Sequence, residues 1–139
     1  MIVEALGMQV HPEGGWFAET WRAASSPGGG RPAGSAILFL LAEDHRSNWH
    51  RLDADEVWQY SAGDPVELRV WADGDRAITV QRLGPIEDDH VAVQAVVPAG
   101  AWQSAASLGA WTLVGCIVTP AFEFEGFELA PSGWTPPVA

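Results

Sequence analysis

The sequence predicts an all-β fold, either two packed sheets or a closed barrel. Two observations carry that prediction. Between residues 35 and 120 no segment repeats its apolar residues at the helical period. Over the same stretch short alternating or wholly apolar runs are separated by turn signals, which makes about seven or eight strands.

Taken in order, Gly15 to Arg22 is the first strand candidate. The loop Ser25-Ser-Pro-Gly-Gly-Gly-Arg-Pro-Ala-Gly34 follows, too short to link two domains. Ser35 to Ala42 is an apolar run and reads as a continuous apolar strand over Ala36 to Leu41. Glu56 to Tyr60 alternates and stops at the turn Ala62-Gly-Asp-Pro65. Val66 to Trp71 alternates cleanly and stops at Asp73-Gly74, a hairpin signal. Ala77 to Leu83, Val91 to Val97, Trp102 to Ala105 and Trp111 to Val118 complete the set, bounded by Gly84-Pro85, Pro98-Ala-Gly100 and Pro120. Glu43-Asp-His-Arg-Ser47 reads as a polar turn, and Phe122 to Leu129 as a short helix or turn that packs phenylalanines on the barrel.

A chain of 139 residues suits one domain, here 1–139, and can bury a core without disulfides. Eighteen acidic residues face seven arginines and no lysine, a net charge of −11 that argues against nucleic-acid and anionic-membrane partners. Cys116 is the only cysteine, so no intrachain disulfide forms, and its apolar setting reads as a buried thiol. The first residues lack a basic start and a long apolar run, so no signal peptide and a cytoplasmic location are expected. Eight tryptophans draw attention because indoles often line ligand pockets and interfaces.

The stretch with chemistry is Trp49-His-Arg-Leu-Asp-Ala-Asp-Glu-Val-Trp-Gln-Tyr-Ser-Ala-Gly63. His50 and Glu56 stand six apart across a turn, and Glu56, Trp58 and Tyr60 share one strand face by the period of two. If that face points inward, an acid, an indole and a phenol line the interior. Val97-Pro-Ala-Gly-Ala-Trp-Gln103 places a tight turn before a strand and can bring Gln103 to the same interior. A histidine beside a carboxylate suits general-base chemistry, and burial pushes a carboxyl such as Glu56 up unless a cation such as Arg51 lies near.

These two stretches resemble the two cupin motifs, G-x5-H-x-H-x3/4-E-x6-G and G-x5-P-x-G-x2-H-x3-N. Gly63 follows Glu56 at the expected distance, and His50 takes the first histidine position if Leu52 takes the second. Pro98-Ala-Gly100 matches the second motif, with Gln103 where its histidine stands. With His11-Pro-Glu-Gly-Gly-Trp-Phe-Ala-Glu-Thr-Trp21, Ala62-Gly-Asp-Pro65, Val114-Gly-Cys116 and Phe127-Glu-Leu-Ala130, the chain is similar to the cupin-5 (DUF985) family of the RmlC-like cupins. The resemblance implies a double-stranded β-helix, that is, a jelly-roll barrel, and a homodimer. It also implies kinship with metal-free sugar-nucleotide epimerases. By that analogy His50 is the base, Glu56 its orienting partner and Tyr60 the acid.

The departures bear on cofactors. Leu52 cannot ligate and Gln103 is a poor ligand, so no cofactor is expected; were a divalent metal present, His50, Glu56 and Gln103 would be its candidates. A small molecule is the expected partner, with His11, Glu19, Trp49, Arg51, Trp58, Trp102 and Gln103 as candidate contacts. Glu13 either reaches a ligand or caps a loop. Three functions stay open: acid–base isomerisation or epimerisation of a sugar-like or keto compound, ligand binding without turnover, and a metal-dependent oxygenase or lyase with a degenerate site. A buried structural His50–Glu56 pair is the bland alternative.

Overall fold

The computed structural model describes residues 1–25 and 27–138. After a short helix α1 (Ile2–Ala5) come β1 (Gln9–Val10), β2 (Trp16–Arg22), β3 (Ser35–Ala42), β4 (Arg46–Leu52), β5 (Asp55–Gly63), β6 (Val66–Trp71), β7 (Thr79–Leu83), β8 (Gln94–Val97), β9 (Trp102–Ser107), β10 (Trp111–Thr119) and β11 (Phe127–Leu129), the last preceded by a 3-10 turn over Phe124–Gly126. They form two antiparallel sheets, one ordered β1-β2-β3-β10-β5-β8 and the other β11-β4-β9-β6-β7. The sheets face each other as the two walls of a jelly roll.

The polar stretch Glu43–Ser47 turns at Glu43 and Asp44 as expected, and its last two residues open a strand. β4 begins at Arg46 and runs through His50 to Leu52. Its inward positions include Ser47 and His50, so it lacks the apolar alternation that reveals a strand. The tail Phe122 to Leu129 holds both expected features, a turn and packed phenylalanines, and then adds β11 beside β4.

The barrel interior has two unlike halves. At one end Phe39, Leu41, Trp58, Val66, Leu68, Leu83 and Val114 form a dry core, all at most 1 % exposed. Toward the other end the inward residues of the same strands turn polar: Glu56 on β5, His50 on β4 and Gln103 on β9, with exposures of 6, 2 and 1 %. Gln103 stands at the boundary. Its Oε1 accepts the indole N–H of Trp58 at 2.9 Å, and its Nε2 donates to Glu56 Oε1 at 2.8 Å.

Register aligns Trp21, Ala36, Ile117, Val57 and Val96 into one row across five strands. Trp21, Ile117 and Val96 in that row are 52, 44 and 60 % exposed. The row beside it, Ala18, Leu38, Gly115, Gln59 and Gln94, carries no charge either.

Candidate functional site

The polar half of the interior opens into a cavity of about 450 Å3, within the size range of small-molecule sites. Its floor holds His11, Glu13, His50 and Glu56, with Cys116 beside them, and its rim holds Glu19, Arg22, Phe122 and Phe124.

Glu13 reaches the floor from the loop between β1 and β2. Gly14 has φ of +111°, and any side chain there would strike the Arg46 carbonyl oxygen. Gly15 has φ of +78°, and a Cβ would lie 2.8 Å from the Leu40 carbonyl oxygen. Only glycine permits both the left-handed backbone and this close approach. The loop is thereby pressed onto β3 and β4, where the Asn48 N–H donates to the Glu13 carbonyl at 2.7 Å.

His50 has both ring nitrogens engaged. Nε2 donates to Glu13 Oε2 at 2.8 Å, and Nδ1 lies 2.7 Å from the Asn48 carbonyl oxygen. A carbonyl oxygen only accepts, so Nδ1 carries a hydrogen and the doubly protonated ring suits the site. Burial alone would push this imidazole down. Glu13, through charge and hydrogen bond, outweighs burial, with Glu56 and the Asn48 carbonyl adding to it, and the pKa rises to about 9. The same partnership holds Glu13 below its ordinary value although its burial works in the other direction.

Glu56 is pushed the opposite way. Burial first, then the Glu13 charge, raise it to about 7 against the pull of His50, Gln103 and the Trp58 indole. It is therefore a carboxyl poised to gain or lose a proton near neutrality, beside an ion pair that is not. Cys116 next to it is buried and, through burial and the Glu56 charge, stays a thiol.

His11 takes a third state. Its Nδ1 accepts the Glu13 backbone N–H at 3.1 Å, so the neutral ring carries its hydrogen on Nε2. Burial holds its pKa below the usual histidine value, with Glu13 pulling up and His50 pushing down. Phe17 and Phe39 meet its ring edge-on at 4.7 and 5.7 Å between centroids.

The structure brings His11, Glu19, His50 and Glu56 of the expected residues to one cavity, with Gln103 directly beneath Glu56. The expected His50–Glu56 hydrogen bond is replaced: Glu13 holds His50, and Gln103 holds Glu56. Tyr60 shares the inward face of β5 but sits four residues along from Glu56, roughly 13 Å away at strand rise. Its hydroxyl donates to the Gly63 carbonyl at 2.6 Å, and it does not line the cavity. Trp58 lies in the dry core below Gln103. Trp49, Arg51 and Trp102 face outward, because His50 and Gln103 take the inward positions next to them. Arg51 stacks over Trp102 at 4.6 Å and pairs with Glu128 at 2.8 Å.

Sequence reasoning left out Arg22 and, as a site residue, Glu13. The signal for Glu13 was the Gly14-Gly15 pair, which marks a loop that must approach another backbone closely. Arg22 carried no signal: its Nε and Nη2 bind Glu19 at 2.9 and 3.1 Å, and Nη2 also donates to the Phe122 carbonyl.

A cupin metal needs several donors converging on one point. Here Gln103 directs its oxygen to Trp58 and its amide N–H to Glu56, His50 spends both nitrogens, and Leu52 offers no donor. Among the described residues no group of three His, Cys, Asp or Glu side chains is disposed to hold a metal ion. The residues present do not fit the fold's usual metal.

A jelly-roll barrel with a polar cavity at one end and an acid–histidine floor defines a cupin. The chain belongs to the cupin superfamily DUF985 family, whose model matches residues 1–130. It is similar to a structural-genomics protein from Shewanella oneidensis, with TM-score 0.87 and 32 % identity over 93 % of this chain and 82 % of that one. It is similar as well to a hypothetical protein from Leishmania major, with TM-score 0.81 and 29 % identity over 92 and 84 %. The capsular polysaccharide assembling protein CapF from Staphylococcus aureus shares the fold at TM-score 0.65 and 13 % identity, over 88 % of this chain and 31 % of its own. No curated protein matches the sequence. Among the described residues no helix is long and apolar enough to cross a membrane.

Proposed function

We propose that the protein is an acid–base isomerase acting on a small polar carbonyl compound in this cavity. The observation that carries the reading is Glu56, a sealed carboxyl with a pKa of about 7 at the cavity floor. In its ionised form Glu56 takes the proton from the carbon next to the substrate carbonyl. The C–H electron pair becomes a C=C bond while the carbonyl π pair moves onto its oxygen, which gives an enediolate where the deprotonated carbon carries a hydroxyl, with the neutral His11 Nε2–H as hydrogen-bond donor to that oxygen. Glu56 then returns the proton to the neighbouring carbon. The hydroxyl proton of the neighbouring carbon passes to the former carbonyl oxygen through His11 Nε2, which gives its own hydrogen to one oxygen and takes one from the other, so protons and electron pairs balance.

One exchangeable carboxyl favours a one-base transfer on a single face. The two-base epimerase scheme needs an opposing acid, and the Tyr60 hydroxyl stands outside the cavity on Gly63. His50, held as a cation by Glu13, favours the ionised Glu56 before transfer and the enediolate charge after it.

The test is proton exchange. Ketoses, aldoses and 2-keto compounds are incubated with the protein in deuterium oxide and followed by proton NMR. Deuterium should enter the carbon next to the carbonyl of at least one compound, and Glu56→Gln should slow that at least about 100-fold with the fold intact. Binding of a compound with no exchange would sink the isomerase reading and leave a ligand-binding cupin.

We further propose the homodimer, with a second copy seated on the apolar row Trp21, Ala36, Ile117, Val57 and Val96. Two chains of net charge −11 repel, and this uncharged face lets them meet without opposing carboxylates. A cytoplasmic location belongs to the same reading, since the lone Cys116 forms no intrachain disulfide.

A further inference from the structure

We propose that the cavity selects ligands carrying a positive charge, an ammonium group on a small polar skeleton, over phosphate-, nucleotide- or carboxylate-bearing ones. The proposal rests on the cavity being the substrate site and adds the charge class of what enters it.

The lining is unbalanced. Five carboxyl side chains line the cavity against two cationic ones, Arg22 and His50. Both cations are committed inside the protein. His50 gives its two N–H groups to Glu13 and to the Asn48 carbonyl. Arg22 gives Nε and Nη2 to Glu19 and the Phe122 carbonyl. Arg31, which acts on Glu123 through space, is forked onto Asp53 at 3.0 and 2.8 Å and donates to the Ala121 carbonyl.

Glu13 and Glu19 answer these two cations, which leaves Glu56, Glu123 and Glu125 as the uncommitted acids. Among the described residues Glu56, only 6 % exposed, has no ion-pair partner, and its Oε1 takes a neutral hydrogen bond from Gln103. Among the described residues neither Glu123 nor Glu125, which stand at the mouth, forms an ion pair; Arg22 and Arg31 act on Glu123 only through space. An anion entering here loses its water, meets these carboxylates and finds the arginine forks occupied. A cation meets the same carboxylates with favourable sign.

The apolar part of the lining points the same way. Phe122 and Phe124 pack edge to face at the mouth, 5.0 Å between centroids, and Phe124 is 60 % exposed. Exposed aromatic faces next to carboxylates are the usual furniture of ammonium recognition.

The experiment compares three hexoses of one skeleton that differ in charge: glucosamine, glucose and glucose 6-phosphate. Binding is measured by NMR titration of the labelled protein near neutral pH, where much of the amine is protonated and about half of Glu56 is ionised. Glucosamine should bind about fivefold or more tighter than glucose, and glucose 6-phosphate weaker than both. The gap should shrink in high salt and in the double variant Glu123→Gln, Glu125→Gln, whose side chains lie at the rim and whose backbone bonds are untouched. Equal or tighter binding of glucose or its phosphate overturns the proposal, as does failure of glucosamine to bind or an unchanged order in the double variant. Deuterium exchange through Glu56 is read separately. A cavity that prefers phosphate would therefore refute charge selectivity and leave the isomerase reading in place, whereas loss of exchange with amine preference intact would do the reverse.

Discussion

Replacing Glu13 by Gln should convert His50 from a permanent cation into an ordinary buried neutral histidine. In the native protein Glu13 holds His50 at about 9, against an unfolded value near 6.5. At about 1.4 kcal/mol for each pH unit, that difference is about 3 kcal/mol of stability. His50 is only 2 % exposed, so solvent screening takes little from this figure. The sign follows from the direction of each shift. The raised His50 contributes fully below its unfolded value and loses its contribution as pH rises through about 9. The lowered Glu13 contributes above the ordinary carboxyl range and loses its contribution as pH falls through its own depressed value. The variant should thus be about 3 kcal/mol less stable near neutrality, roughly 10 °C in Tm for a chain of this size. The gap should narrow as pH rises from the ordinary histidine value toward about 9, and again in strong acid. Denaturant unfolding across pH measures the gap, and the Cε1–H signal of His50 by NMR reports its titration. A native His50 that titrates at or below the ordinary histidine value, or a gap that stays flat with pH, would refute the argument.

Two further outcomes are expected. Glu56 has the linkage sign of His50 and the opposite of Glu13: its raised pKa makes the folded state prefer the protonated acid, so native stability falls as pH rises from the ordinary carboxyl value to about 7. Glu56→Gln, inactive in the exchange assay, should therefore be up to about 3 kcal/mol more stable than the native protein at mildly alkaline pH and nearly equal to it in acid, as thermal unfolding at the two pH values will show. Ile117→Asp puts a charge in the middle of the apolar row and should turn a dimer into a folded monomer in analytical ultracentrifugation; a native protein that sediments as a monomer would refute the proposed interface.

The strands with apolar inward faces were legible in the sequence. β3 and β6 lie at the residues expected, because their side chains alternate or run continuously apolar and turn residues bound them. β4 was hidden by function: its inward positions are occupied by Ser47 and His50, and a polar interior looks like a turn to any pattern based on burial. The acid and histidine of the site were legible as residue types, but their partners were not. His50 and Glu56 are close in sequence, while Glu13 and Gln103 come from loops and strands far along the chain and are joined only by the closed barrel. The tryptophans illustrate the limit of composition. Residue type alone made Trp49 and Trp102 plausible pocket walls, and the period of two, anchored on His50 and Gln103, sends them to the other side of the sheet.

That outer placement has an optical consequence. Trp134 of the C-terminal segment lies 4.6, 6.1 and 6.3 Å from Trp102, Trp49 and Trp71, a nest of four indoles outside the barrel. Trp58, linked to Glu56 through Gln103, is the indole wired to the cavity floor, and it is 1 % exposed. Intrinsic emission and the near-ultraviolet exciton signal will therefore be dominated by how the C-terminal segment sits, and a ligand entering the cavity will register mainly as a small change from one shielded chromophore.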